Sequence, residues 1–550
     1  MANVSIPQGV ALLAVTWIFW QVLKKALARS PLDNIPGPPS ESFVKGNYGQ
    51  IYHRQGWEFH ETLWRDYGPI IKLHVSFGTP CLYIYDPGAL HHILATDLAA
   101  VEQSTFIAES YRLILGPGLM SAIGDQHRRQ RKLLNPVFSP QNLREMLPIF
   151  YRTARRLRDA IRVETGPDAK EVDILQWMNR GALELMGQAG LGYSFDPLVE
   201  VGSNDLAKAI KALFPALSRL GILRQITPWL VKFGSAGFRR RVVEIFPNES
   251  VRQVVSIVDT MDETSHEIVE ARKALLEQGE DALASQVGSG KDVMTCLLKA
   301  NMEASEGNRL TDEEVIAQIC TFVLAATDST ASITTQILQY LAERPQVQAK
   351  LRREILEARQ GEEIPFEELM KLPLLDGVVK ETLRLNPVAT VISRQARKDS
   401  VVPLSSPIRG VDGQLMKEVI IPKGTLIFLG VRASNCNPAL WGADAMDWKP
   451  ERWMKGLPQA VSNAKIPGVF GSILTFGGGS RTCIGFKFAE MEIKTVLSVL
   501  LQSFTISSTE KKIVWNLATV RYPTVGEQGT KPELPLIMHP SPPDRDRAFH

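Results

Sequence analysis

Phe476-Gly477-Gly478-Gly479-Ser480-Arg481-Thr482-Cys483-Ile484-Gly485 is the stretch on which the reading of this chain turns. It sets one cysteine in a glycine-rich turn just before an amphipathic helical pattern that runs from Ile484 to about Leu501. A thiolate at a helix N-terminus gains from unpaired backbone N–H groups and from the positive end of the helix dipole. The glycines remove side chains where a flat cofactor needs the backbone to come close. Arg481 adds a fixed positive charge that suits a carboxylate. Together these parts suit a haem iron with an axial thiolate, a ligand that pushes electron density toward O–O cleavage. The competing reading is a buried free cysteine beside a glycine loop, which leaves the spacing of so many fixed positions unexplained.

At these residues the chain resembles the cytochrome P-450 family of haem-thiolate monooxygenases, in its microsomal type. The family pattern Phe-x-x-Gly-x-Arg-x-Cys-x-Gly is matched by Phe476, Gly479, Arg481, Cys483 and Gly485. The resemblance covers the chain after about Pro36. It implies a mainly α fold with small β-sheets, one haem b ligated through Cys483, and Phe476 and Arg481 in contact with that cofactor.

Composition is compatible with this. The chain has 550 residues, 44% hydrophobic and 22% charged, an ordinary globular balance. No linker, charge block or repeat interrupts it after residue 40, which favours one large catalytic unit. A net charge of +3 is too mild to argue for nucleic acid. Cys81, Cys296, Cys320, Cys436 and Cys483 are scattered and odd in number, as in a reducing compartment.

Ile6 to Leu23 is mostly apolar and, at roughly 18 residues, just long enough to span a bilayer. Lys24, Lys25 and Arg29 follow it and no side-chain cation precedes it, so the positive-inside rule puts the rest of the chain in the cytosol. A cleaved signal peptide would carry its positive charge before the apolar run. Ile35-Pro-Gly-Pro-Pro39 then stiffens the chain. The expected organisation is a membrane anchor over residues 1–24, a basic and proline-rich hinge over 25–40, and a catalytic domain over 41–550. The protein is expected to be single-pass in the endoplasmic reticulum membrane.

Thr311 to Glu343 is the best helical segment, with a capping box at Thr311 and Glu314 and Pro345 beyond its end. Its centre, Ala325-Ala-Thr-Asp-Ser-Thr330, puts small hydroxyl residues and an acid where a core helix would be apolar. Such hydroxyls compete for backbone hydrogen bonds and can bend a helix. By resemblance this is the family's oxygen-handling motif, with Asp328 and Ser329 as the acid–alcohol pair that delivers protons. Ala326 stands where glycine is usual, and Ser329 where threonine is usual.

Other residues follow from the same resemblance. Glu381, Arg384 and Arg452 would form a buried charge network that fixes the surroundings of the cysteine loop. His127, Arg131, Arg394 and Arg481 would meet the haem propionates. His127 replaces the usual tryptophan, as is familiar among fungal members, which points to a fungal source. Arg128, Arg129 and Lys132 would present a positive patch to an acidic electron donor. No reductase domain is visible, so electrons are expected from NADPH through a separate cytochrome P-450 reductase. By family position the pocket would draw on residues 106–123, 207–246, 322–326 and 388–392, mainly apolar stretches that suit a lipophilic small molecule. A terpenoid or similar fungal secondary metabolite is the expected substrate class. Two rival readings stand beside the monooxygenase: a haem-thiolate isomerase or dehydratase, and a catalytically silent haem- or lipid-binding membrane protein.

Overall fold

The computed structural model describes residues 30–541, apart from 197, 199–204, 221–222, 224–229, 285–286 and 289, together with positions 16 and 20. The expected anchor and the first part of the hinge lie outside the described residues. The remainder of the hinge is built into the folded body. Leu32 and Ile35 are each 1% exposed and belong to a hydrophobic cluster with the sheet. Lys72 N donates to Pro36 O at 2.9 Å. A Cβ on Gly37 would come 1.8 Å from Lys72 O, so only glycine lets the segment lie this close.

The described architecture is mainly helical with four small sheets. The helices that matter for the site are α1 (Trp57–Asp66), α2 (Gly124–Leu134), α3 (Asp312–Ala342), α4 (Pro373–Leu385), α5 (Val431–Asn435) and α6 (Phe486–Ser503). The largest sheet has strands β1 (Ile70–Val75), β2 (Thr79–Ile84), β3 (Val101–Glu102), β4 (Val391–Ala396) and β5 (Leu426–Gly430). Their spatial order is β1-β2-β5-β4-β3. Only β2 and β5 run parallel; the other pairs are antiparallel. A separate hairpin joins β6 (Ile513–Asn516) to β7 (Tyr522–Val525).

Helix α3 runs through the core. Its capping box forms as the sequence predicts: Glu314 N donates to Thr311 Oγ1 and Thr311 N donates to Glu314 Oε2. Among the described residues it is the one helix apolar and long enough to cross a membrane, but most of its apolar stretch is buried inside the protein. The helix stays continuous through its hydroxyl-rich centre. Thr327, Ser329, Thr330 and Thr334 each turn their hydroxyl back to the carbonyl four residues earlier, so the local competition is absorbed without a break.

Helix α6 is buried from Glu490 to Leu501. Its single interior cation, Lys494, is satisfied by Asp376 at 2.9 Å, Glu490 at 2.8 Å and Met370 O at 2.8 Å. An aromatic chain ties α3 to α6. Phe322 meets Phe138 at 5.7 Å between ring centres, Phe138 meets Phe488 at 6.4 Å, and Phe488 meets Phe150 at 4.8 Å, all edge to face. Phe322 is therefore core packing rather than pocket lining, a correction to the expectation for residues 322–326.

Candidate active site

The cysteine loop is shaped by close backbone approaches. Gly477 and Gly479 adopt φ of +71° and +66°, a region L-residues rarely enter. A Cβ on Gly479 would lie 1.9 Å from Leu94 O, and one on Gly478 would lie 2.4 Å from Pro467 O. Cys483 N donates to Phe476 O at 2.8 Å, which closes the loop over Phe476. The Phe476 ring packs against Phe470 and Phe486. Cys483 itself is exposed, although protein surrounds it closely enough that burial raises its thiol pKa against the Gly485 N–H and Arg131. Its sulfur thus opens onto interior space.

The middle of α3 behaves in the same way. Ala325 is exposed and Ala326, Asp328 and Ser329 are half-buried, while Thr321–Leu324 and Thr330–Leu338 are buried on either side. These small residues thus open an accessible face midway along a helix that is buried on either side of them. Ser329 Oγ donates to Ala325 O at 2.6 Å, on that face. At the next residue, Thr330 Oγ1 lies 2.7 Å from both Ala326 O and Glu492 Oε1. Burial pushes Glu492 up to about 8 against its contact with Thr330, so this acid on α6 keeps its proton at neutral pH.

Helix α2, strand β4 and the cysteine loop bring His127, Arg131, Arg394 and Arg481 together. Arg131 donates to Thr482 O, next to the cysteine. Arg481 Nε donates to Glu102 Oε1 at 2.7 Å and its Nη2 to Ala122 O at 2.8 Å. Arg394 Nη1 donates to Ser393 O at 2.9 Å. Burial, then repulsion from Arg481, lowers Arg394 to about 10. Burial first, with Arg481, Arg131 and Arg394 adding repulsion against Glu102, lowers His127 to about 4 and leaves its ring neutral. Three guanidiniums here face the single carboxylate of Glu102.

Of the three cations expected on a donor-facing patch, Arg128 and Lys132 are exposed. Arg129 is not free. It donates to Glu314 Oε1 at 2.6 Å and to Arg309 O. That is a correction to the expected patch.

Glu381 and Arg384 are both fully buried and pair through two bonds of 2.8 Å. Arg452 Nε and Trp453 Nε1 each donate to the same carboxylate at 3.0 Å. Burial alone would raise the Glu381 pKa, but Arg384 holds it below the usual carboxylate range. Arg384 Nη1 reaches Asn435 O at 3.2 Å. Asn435 Oδ1 in turn accepts from Leu474 N at 2.7 Å, and its Nδ2 donates to Thr475 Oγ1 at 2.9 Å. Leu474 and Thr475 lead directly into Phe476, so the charge network is hydrogen-bonded to the base of the cysteine loop.

A family model described as Cytochrome P-450 matches residues 36–520 of this chain. The chain belongs to the cytochrome P-450 family. It is similar to cytochrome P-450 monooxygenase 91 of Postia placenta, 47% identical over 96% of this chain and 97% of the relative. It is 45% identical to a ganoderic acid synthetase of Ganoderma lucidum, over 96% of this chain and 97% of that one. A cytochrome P-450 monooxygenase of Hericium erinaceus is 35% identical over 93% and 95% of the two chains. The protein is a P-450 monooxygenase of the fungal kind.

P-450 enzymes are haem-thiolate proteins, and the residues here fit that cofactor on structural grounds. The only exposed cysteine among the described residues opens into the interior. Beside it the arginine cluster carries surplus positive charge that the two propionates of a haem would neutralise. Glycines stand where the loop backbone approaches its neighbours most closely. Glu102, Asn435 and Glu492 were not singled out in the sequence. Each acts through a partner at least 40 residues away, hundreds of residues for Glu102.

Proposed function

We propose that this P-450 hydroxylates, or otherwise oxidises, a lipophilic small molecule of the terpenoid class. Substrate, dioxygen, two electrons and two protons give the oxygenated product and water. The electrons come from NADPH through a separate reductase that docks on the exposed face of α2 carrying Arg128 and Lys132. The observation that carries this reading is the accessible face Ala325–Ser329, which sets an acid and an alcohol on a small-residue surface within an otherwise apolar core helix.

When bound, haem b supplies dioxygen activation. The chain's own residues do the rest. Cys483 presents its sulfur, held by the Phe476 carbonyl through its backbone and favoured as thiolate by the Gly485 N–H and Arg131. Arg131, Arg394, Arg481 and neutral His127 would hold the haem propionates. Asp328 and Ser329 pass protons, with the Ser329 hydroxyl leaving Ala325 O to do so. The apolar residues around 388–392 line the substrate. The N-terminal segment 1–24 anchors the protein in the endoplasmic reticulum membrane with the catalytic domain in the cytosol. Terpenoid chemistry is supported by the relative named for ganoderic acid.

The test is co-expression with a fungal reductase in a host fed candidate terpenes under oxygen-18 gas, with products read by mass spectrometry. A product heavier by one labelled oxygen is expected. Conversion without label would replace the monooxygenase with an isomerase or dehydratase.

A further inference from the structure

A second group of cations, Arg521 buried and Arg432 half-buried, is assembled from four parts of the chain. The guanidinium carbon of Arg432, on α5, lies 5.3 Å from the ring centre of Trp64 and 5.0 Å from that of Trp57, both on α1. That of Arg521, just before β7, lies 5.0 Å from Trp57 and 5.0 Å from Trp515 on β6. Indole and guanidinium therefore alternate: Trp64, Arg432, Trp57, Arg521, Trp515. Ser332 Oγ on α3 donates to Arg521 O at 2.8 Å, so the long helix also meets this ladder.

A guanidinium lying on a ring face gains cation–π attraction, but a ring accepts little from the N–H groups in the guanidinium plane. Those groups still need acceptors. Arg521 is only 5% exposed, and its one side-chain bond is a long one, Nη2 to Gln336 Oε1 at 3.4 Å. Its Nε is buried without a partner. Arg432 Nη1 is likewise buried without a hydrogen-bond partner, its nearest carboxylate being Glu61 at 3.8 Å on the rim. Burial, then repulsion from Arg432, lowers Arg521 to about 9, which leaves it charged at neutral pH. His60 nearby is held neutral, chiefly by burial, and adds no charge. Two guanidiniums offset by one rim carboxylate leave about one positive charge to be met, with N–H donors already in place.

We propose that the ladder is a binding site for a small monovalent anion of the halide class, seated at the guanidinium edges of Arg432 and Arg521. The bound anion cross-links α1, α3, α5 and the β6–β7 hairpin.

The test is thermal unfolding of the full-length haem-loaded protein at constant ionic strength, with chloride or bromide exchanged for gluconate. Ordinary salt exclusion ranks gluconate as the better stabiliser. A specific site predicts the reverse, a saturable rise in midpoint with halide of about 2 °C or more. Arg521→Met should flatten the halide curve onto the gluconate curve while keeping the thiolate-type carbon monoxide spectrum. If that variant does not fold, bromide-soaked crystals of the wild type serve instead, with an anomalous peak expected at the guanidinium edges of Arg432 and Arg521. Identical halide and gluconate curves in the wild type, an unchanged halide rise in Arg521→Met, or no bromide peak would each overturn the site.

Discussion

Glu492 on α6 and Thr330 on α3 share a 2.7 Å contact that joins the helix behind Cys483 to the helix bearing Asp328 and Ser329. The second carboxyl oxygen of Glu492 is buried without a partner. The acid is therefore tolerated because it is neutral, and its folded pKa of about 8 lies above its unfolded value near 4.5. A raised acid pKa means that the native state holds more protons between those values, so its contribution is full below about 4.5 and falls as pH rises toward 8. Glu492→Gln should remove that slope. Urea unfolding across this range should show the variant gaining on the wild type with rising pH, by a few kcal/mol at most. Parallel curves would mean that Glu492 titrates normally.

Cys483→Ser removes the sulfur that opens into the interior. The variant should lose the thiolate-type carbon monoxide difference band while far-ultraviolet circular dichroism stays native. Retention of the band would exclude Cys483 as the axial ligand.

Gly479→Ala asks for a methyl group 1.9 Å from Leu94 O at a φ of +66°. The carbonyl is backbone and cannot step aside cheaply. The variant should incorporate little haem per mole of protein, measured by pyridine haemochrome. Gly485→Ala has open space at the same atom and a negative φ. It should retain most of its haem, which makes the pair a test of loop geometry rather than of glycine content.

Arg384→Lys keeps the charge but breaks the paired contact with Glu381 and the reach to Asn435. Loss of one member of a buried network costs about 3–5 kcal/mol. Chemical denaturation should show that loss, and haem should dissociate faster because Asn435 no longer fixes Leu474 and Thr475. An unchanged haem off-rate would separate the network from the cysteine loop.

Ser329→Ala leaves the helix intact, since its hydroxyl bonds only a carbonyl already engaged in helix formation. NADPH consumption should continue while product per NADPH falls and hydrogen peroxide rises. Unaltered coupling would move the proton route elsewhere.

The cysteine loop and the capped long helix could be read from the chain because each rests on short-range spacing that local physics constrains, whereas Arg452, 71 positions from Glu381, joined the Glu381–Arg384 pair only through the family resemblance. The pocket stretch expected over 322–326 reaches too far back along the helix, because sequence does not reveal that Phe322 packs edge to face against Phe138. Glu102 could not be found, since its importance lies in facing Arg481 across 379 positions of chain. The ladder of Arg432 and Arg521 was equally hidden. Its three tryptophans come from opposite ends of the sequence, and no local pattern marks an arginine that will be buried.

Glu314 caps the start of α3 with one carboxyl oxygen and with the other accepts from Gln126, Arg129 and Gln130 of α2. A single side chain thereby makes two helices mechanically continuous. Pressure from a protein leaning on the outer edge of α2 is felt at the first turn of α3, and the two cannot tilt independently while that carboxylate holds both.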